Sequence, residues 1–284
     1  MGTYALDNRP TNVNELSKDL IVLHNILARK STRWNALELK LFYAVISQIR
    51  NRDDKNVIRL KKADICDILE IDKTHSNNLR KQIVKMMQKS FVQFDGSSEE
   101  EWKDGFLVTH AASDRHTIEV GLNHTFIPLL VELERHFTSF YLDNIGHFKS
   151  KNSVILYQNL KSWFNRDYLV THKKYSLLEL KKMFEIGEKD YMVKRGKNKD
   201  RIVFDTFTFK ARTLDVAVKE INADPIKAGM KIGAVETVKH RGFVWGYDIE
   251  FTLVDSQGRI WNPENRYKKE DPLPDIPTID DYLK

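Results

Sequence analysis

The sequence has little cysteine and no long apolar run, and each absence removes a class of protein. Cys66 is the single cysteine in 284 residues, so an intramolecular disulfide is impossible, and its apolar surroundings predict a buried, reduced thiol. No apolar run approaches the length needed to span a bilayer. The first residues, MGTYALDNRPTNVNEL, lack the charged start and apolar middle of a signal peptide. A cytoplasmic protein without a membrane partner is therefore expected.

Motifs that carry chemistry are also scarce. The P-loop pattern GxxxxGK[ST] does not occur, which argues against nucleotide hydrolysis of that kind. The nine histidines are not grouped at the spacing of metal ligands, and a single cysteine does not favour a structural zinc. Tyr141 and Tyr157 have no histidine cluster beside them, as a metal-dependent tyrosine nickase would need. We therefore predict no catalytic residue, no metal and no cofactor, and we do not expect an enzyme.

Charge and length are more informative. The 46 lysines and arginines exceed the 40 aspartates and glutamates, which gives a formal net charge of +6. A mild positive charge suits a polyanionic partner, although it is also common in proteins without one. The length is sufficient for two domains of ordinary size.

The first half of the chain has the pattern of three helices followed by short β-like runs. A core helix is predicted from Asn35 to Ile49, a short helix over 63–70, and a longer helix that begins near Thr74. The outer face of this third helix is basic and amide-rich, with Asn77, Asn78, Arg80, Lys81 and Lys85. The β-like runs lie at 91–94, 105–110 and 116–122, and an acidic turn, Glu99 to Glu101, forms the tip of the first hairpin.

The second half repeats this order with different residues. It has a core helix, NSVILYQNLKSWF, and then a short helix in YSLLELKKMFEIG, which Ser176 and Glu179 start as a capping box and Gly187 ends. A third helix, FTFKARTLDVAVKEIN, covers 207–222. The strands MKIGAVETV and FVWGYDIEFTLV follow, with KHRG as the hairpin turn and strict apolar alternation in the second strand.

The third helix of this half is amphipathic with a basic outer side. Helical spacing places a stripe of apolar residues inward: Phe207, Ala211, Leu214, Val218 and Ile221. The opposite side carries the candidate DNA-contacting residues Lys210, Arg212, Thr213 and Lys219, together with Phe209 and Val216. A basic loop at 194–201, which includes Lys197, Lys199 and Arg201, leads into the helix.

Helix, short helix, longer helix and β-hairpin is the order of a winged helix-turn-helix unit, and it occurs twice. The predicted fold class is therefore α+β, with two tandem winged helix-turn-helix domains at 17–137 and 138–255. A polar arm at 1–16 precedes them. A proline-rich tail at 256–284 follows them and is expected to be flexible.

The basic helix faces favour DNA as the partner. A helix fits the major groove, where arginine, lysine and asparagine reach phosphates and base edges. A single basic helix face is usually only solvated, but two occur here in the same order, and the second is followed by a basic hairpin tip of Lys239, His240 and Arg241. Because the acidic turn of the first hairpin would repel phosphate, the second domain is expected to supply most of the affinity. The first is expected to have a weaker role that includes contact with another subunit.

Four segments resemble the iteron-binding, tandem winged-helix family of plasmid replication initiators across residues 20–254. They are ILARKSTRWNALELKLFYAVISQI, FKSKNSVILYQNLKSWF, YSLLELKKMFEI and FKARTLDVAVKEIN. The last is the most specific, because it matches the family's recognition helix ending in Glu-Ile-Asn at Phe209, Lys210, Leu214, Ala217, Glu220, Ile221 and Asn222. The tail from 256 and the basic loop at 194–201 depart from the family pattern.

The resemblance implies an initiator that binds directly repeated double-stranded sites at a plasmid origin in the bacterial cytoplasm. It implies that the protein helps to open the duplex, recruits host replication initiator and helicase proteins, and as a dimer represses its own gene. Two alternatives stay open. One is a winged-helix transcription regulator without a replication role, and the other is a DNA-nicking relaxase, which the missing histidine cluster disfavours.

Overall fold

The computed structural model describes residues 20–29, 33–49, 56–71, 76–95, 102–131, 137–165, 167–195 and 201–263. These residues cluster into two compact units that interleave along the chain. The first unit takes in Leu37–Leu133, Ser139–His147 and the chain up to Leu23, and the second takes in His24–Ala36, Glu134–Thr138 and the chain from Phe148 onward. The predicted arm at 1–16 lies outside the described residues, and the sequence-based domain limits stay a prediction. The tail predicted to be flexible at 256–284 is described up to residue 263, and there the prediction is wrong, because Trp261 is buried and its N–H donates to the carbonyl of Leu253 at 2.8 Å.

The first half of the chain contains helices and short strands in alternation. In chain order they are β1 (Leu20–His24), α1 (Asn25–Arg29), α2 (Ala36–Ile46), β2 (Val57–Lys61), α3 (Lys62–Ile68), α4 (Ser76–Gln88), β3 (Phe91–Asp95), β4 (Trp102–Phe106), β5 (Val108–Ser113), β6 (Thr117–Leu122), α5 (Pro128–Val131), β7 (Phe137–Tyr141) and α6 (Leu142–Gly146).

Helix α2 is the core helix of the first unit and is buried on nearly every side. Its two buried charges are satisfied: Glu38 accepts from Lys89 Nζ at 2.8 Å, and Lys40 Nζ donates to the carbonyl of Gly146 at 2.7 Å. Cys66 on α3 is a buried thiol outside any disulfide, as predicted. Paired or hydrogen-bonded charges are the form in which an ionic group tolerates burial.

The wing of the first unit differs from the sequence-based interpretation. Its three-stranded sheet has the order β2-β6-β5, whereas β3 and β4 form a separate two-stranded sheet. The strands β5 and β6 therefore make the winged-helix hairpin, with its turn at 114–116. The acidic turn Glu99 to Glu101 follows β3 and lies outside the described residues. Strands β3 and β4 pair antiparallel on either side of this segment, so they form the first hairpin along the chain, and the place of the acidic turn at its tip stays a prediction. Long-range pairing with β2 makes the next hairpin, that of β5 and β6, the wing.

The second half contains the second winged unit with one inserted hairpin. Its elements are α7 (Lys151–Lys161), β8 (Thr171–Ser176), α8 (Leu177–Met183), β9 (Met192–Arg195), β10 (Arg201–Phe204), α9 (Thr206–Phe209), a π-turn (Lys210–Leu214), α10 (Asp215–Ala223), α11 (Pro225–Ala228), β11 (Met230–His240) and β12 (Phe243–Leu253). The segments α9, π-turn and α10 are continuous and are called the long helix below.

Core helix α7 and a sheet of order β11-β12-β8 enclose the long helix. The predicted capping box is confirmed, because Ser176 Oγ accepts from the Glu179 N–H and the Glu179 carboxylate accepts from the Ser176 N–H. Gly187 does not end α8. Glu185, in the left-handed region with φ 54°, follows the helix instead. The predicted fold class, α+β with tandem winged helices, is confirmed.

Candidate nucleic-acid interface

The long helix of the second unit changes its inward face at the π-turn. Phe209 and Leu214 are both fully buried, five residues apart, whereas Phe207 is 79% exposed. A π-turn closes i→i+5 hydrogen bonds and so adds one residue to a turn, which displaces the apolar stripe relative to ordinary helical spacing. The predicted inward positions of Phe207 and Ala211 are therefore wrong, and so is the predicted outward position of Phe209.

Thr213 is the candidate site residue that the structure contradicts. Its side chain is only 1% exposed, and its hydroxyl donates to the carbonyl of Phe209 four residues earlier. This contact occupies the carbonyl that the helix would otherwise bond at i+4, and such side-chain bonds locally alter helices. Thr213 therefore shapes the π-turn from inside the unit and does not face a nucleic acid.

Of the predicted outward cations of the long helix, one is paired with a carboxylate and two are exposed to solvent. Lys210 forms an ion pair with Asp215 on the next turn, which offsets part of its charge. Arg212 and Lys219 are exposed to solvent. The structure thus places Arg212 and Lys219 where they can reach a polyanion, and it adds Asp215 as a carboxylate beside them.

The ending Glu-Ile-Asn holds the long helix in place. The carboxylate of Glu220 accepts from the backbone N–H groups of Lys149 and Ser150 at 3.1 Å, just before α7. Ile221 is fully buried. Asn222 makes two 2.8 Å hydrogen bonds with Ile232, one to its carbonyl and one from its N–H. The most specific part of the resemblance is therefore a clamp that sets the position of the helix.

The hairpin of β11 and β12 forms the wing of the second unit. Its turn is Arg241-Gly242, with φ 49° and 83°, and two positive φ values are what a two-residue type I′ turn requires. Lys239, His240 and Arg241 are all exposed near this tip. Tyr247 Oη at the base of the wing donates to the carbonyl of Thr206 at 3.1 Å, which joins the wing to the start of the long helix.

The basic loop before the long helix is carried by an inserted hairpin. Strands β9 and β10 pair antiparallel from Arg201↔Arg195 to Phe204↔Met192. Arg201 is exposed, while Lys197 and Lys199 lie outside the described residues. The hairpin is anchored by Phe204, whose ring lies 5.4 Å from that of buried Phe209. The charge of this segment was predictable from the sequence, whereas its two strands were not.

The first unit has a basic groove between α4 and its wing. The groove, about 700 Å³ in volume, is lined by Lys62, Arg80, Lys81, Val84, Lys85, Gln88, Ser113 and Asp114. Arg80, Lys81 and Lys85 are exposed as predicted. Asn77 and Asn78 lie on α4, but the structure does not describe their side chains. Lys62, missed by sequence reasoning, starts α3 and donates to the carbonyl of Asp114 at 2.6 Å, a contact that no local pattern signals.

Asp114 fixes the turn of the first wing. Its carboxylate accepts from the Thr117 hydroxyl at 2.6 Å and from the N–H groups of Thr117 and His116 at 2.6 and 2.7 Å. These hydrogen bonds, that from the Thr117 hydroxyl first, lower the pKa of Asp114 to about 2. The carboxylate of Asp114 therefore lines the basic groove, but its oxygens already accept hydrogen bonds from the wing.

The described residues contain neither a candidate metal cluster nor a candidate membrane-spanning helix. No cluster of three or more histidine, cysteine, aspartate or glutamate side chains in the described ranges could hold a metal ion. Within those ranges, no helix combines the length and apolar character needed to cross a membrane.

Comparisons with known proteins give one family match and one match in fold. A family model described as Initiator Replication protein, WH1, matches residues 20–161, which is half of the chain. No curated protein matches the chain. Among solved structures, the chain is similar to the Pi initiator protein in complex with iteron DNA, with a TM-score of 0.64 and 16% sequence identity over 84% of this chain and 98% of that chain. At this identity the likeness shows the fold.

Proposed function

Since the chain belongs to the initiator replication protein family, we propose that it initiates plasmid replication by binding directly repeated double-stranded DNA at an origin. The observation that carries the proposal is the long helix of the second unit. It is clamped at its end by Glu220 and Asn222, presents Arg212 and Lys219 to solvent, and lies beside a wing with a basic tip. The Pi initiator protein, which shares the fold, is in complex with iteron DNA.

The residues divide into base readers and phosphate contacts. Arg212 lies mid-helix and exposed, so it is the candidate for a bidentate contact to a guanine edge in the major groove. Lys219, Lys239 and Arg241 are candidates for phosphate contacts, which position the protein without specifying sequence. Lys210 contributes less, because its ion pair with Asp215 already offsets part of its charge.

The first unit supplies a second basic surface. Arg80, Lys81 and Lys85 line its groove with Lys62, so this unit also binds DNA in the proposal. Self-association through this unit, with repression of the protein's own gene by the dimer, belongs to the same proposal. It rests on the family resemblance.

Origin opening and the recruitment of host proteins are also proposed from the family resemblance. Binding to the repeats helps to open the adjacent duplex and brings in host replication initiator and helicase proteins, in the bacterial cytoplasm. The protein acts by binding and does not cut DNA. A supercoiled-plasmid nicking assay with a divalent metal tests this last point, and appearance of the nicked circle would support the relaxase alternative.

An origin assay tests replication itself. A circular DNA that carries the gene and its upstream region, but no other origin, is expected to be maintained in a bacterial host. The same circle with Arg212→Ala is expected to be lost, while Lys174→Ala, a cation on the opposite face of the sheet from the long helix, keeps it. Sequence-specific binding without plasmid maintenance would favour a transcription regulator.

A further inference from the structure

The wing of the second unit projects beyond its sheet as a two-stranded arm. Strand β8 pairs with β12 only from Gly246 to Phe251, so the residues between Gly246 and the turn pair with β11 alone. At about 3.3 Å per residue, the four steps from Gly246 to Gly242 extend about 13 Å. The base is held closely, because a Cβ on Gly246 would lie 1.8 Å from the carbonyl oxygen of Tyr175.

This arm carries two large exposed aromatic side chains. Phe243 is 79% exposed and Trp245 is 45% exposed. The register shifts between Val238 and Lys239, which leaves Trp245 as the extra residue of a bulge. The strict alternation expected for this strand is therefore broken, and bulges characteristically re-aim side chains. Leaving such apolar area in water is unfavourable, so a binding partner is expected to cover it.

The charge of the arm selects nucleic acid as that partner. Residues 237–245, TVKHRGFVW, contain lysine, histidine and arginine but no carboxylate. An atom added at Gly242 would meet nothing within 4 Å, so the tip is clear of the other described residues. Proteins that insert apolar wedges between base steps place arginine or lysine beside them and enter the minor groove.

We propose that Phe243 and Trp245 form an apolar wedge that enters the minor groove next to the repeat read by the long helix, partly unstacks a base step and kinks the duplex. Lys239 and Arg241 hold the phosphates on either side of the wedge. The arm is long enough, since the minor groove is roughly 7.5 Å deep. The inference rests on the proposed function and adds a deformation step to it.

The test uses the full chain and a duplex of the repeat that the wild-type protein protects upstream of its own gene. Energy transfer between dyes at the two ends reports the bend, and 2-aminopurine in the steps flanking the repeat reports unstacking. The wild-type protein is expected to bend the duplex by tens of degrees and to raise the 2-aminopurine signal. The Phe243→Ala/Trp245→Ala double variant loses most of both signals and binds about tenfold more weakly.

The controls separate this inference from the proposed function. Tyr168→Ala removes another exposed aromatic ring, 59% exposed in the same unit, and should leave bend, unstacking and affinity unchanged. Circular dichroism melting should show the double variant folded, because neither side chain is in the core. Unchanged bending and unstacking in the double variant would overturn the wedge while leaving specific binding intact. Failure of the wild-type protein to protect any repeat would overturn both.

Discussion

Arg212 is the residue whose position matters most for sequence recognition. It is exposed on the outer face of the long helix, and a good bidentate arginine–guanine contact contributes about 1–3 kcal/mol of discrimination. Arg212→Ala should weaken binding to the specific repeat by about 1–3 kcal/mol and leave binding to shuffled DNA much less changed. Competition binding measures both affinities.

The matched control for Arg212 is Lys174. Lys174 lies on strand β8, and its ammonium is 3.8 Å from the carboxylate of Asp248 on β12. Because it alternates with buried Tyr175, it faces away from the long helix. Lys174→Ala should leave both affinities unchanged. Equal losses from the two substitutions would mean that general charge, not reading by the helix, accounts for the binding.

Substitution of Thr213 should change the stability of the protein and not its recognition of DNA. Thr213→Val keeps the side-chain volume but leaves the Phe209 carbonyl without its hydroxyl donor. Such an unsatisfied buried group costs about 1–3 kcal/mol. Chemical denaturation should show this loss, while the folded variant keeps its DNA selectivity. Unchanged stability together with lost selectivity would return Thr213 to the DNA-facing surface.

At the scale of elements, the order of helices and hairpins was predictable and their exact faces were not. Helical periodicity located α4 and α8, because each buries one regular stripe, and it also located α7, which is buried on all sides over residues 153–160. The π-turn was not predictable, because the same residues also fit an uninterrupted α-helix. The hydrogen bond from the Thr213 hydroxyl to the Phe209 carbonyl at the π-turn is visible only in the structure. The identity of the first wing depends on pairing between distant strands β2 and β6, which local patterns do not encode.

The clamp between the long helix and the sheet should be measurable. Strand β11 is at the edge of its sheet, and Asn222 satisfies both the N–H and the carbonyl of Ile232. Asn222→Ala should lower the free energy of unfolding by about 1–3 kcal/mol and weaken specific DNA binding through a displaced helix. Lys219→Ala is the comparison, since an exposed cation on the same helix should affect DNA binding alone. A fully stable Asn222→Ala protein would contradict the clamp.

The first wing should respond to acid in a defined direction. The pKa of Asp114 is lowered from its ordinary value of 3.8 to about 2, so the folded wing favours the carboxylate. Its contribution to stability is present above the ordinary pKa and is lost as the pH falls through about 2. The amide resonances of His116 and Thr117 should titrate with a midpoint near 2. A midpoint at the ordinary value would show that the turn hydrogen bonds do not form.

At the scale of the whole molecule, the two units present basic surfaces of the same type. Each combines a helix with exposed cations and a neighbouring hairpin, and the net charge of +6 favours association with DNA at low salt. Each phosphate neutralised by a lysine or arginine contributes about −0.9 to the slope of log affinity against log salt. Loss of Lys219, a phosphate contact in the proposal, should therefore reduce the steepness by about 1.

The most direct test of the central claim is fluorescence anisotropy of the full chain on the DNA upstream of its gene, against a shuffled control, across a salt series. The account predicts tight binding to the natural sequence, stepwise loading of several molecules onto direct repeats, and affinity that falls steeply with salt. Weak binding that is equal on the natural and shuffled DNA would contradict sequence-specific recognition by this protein.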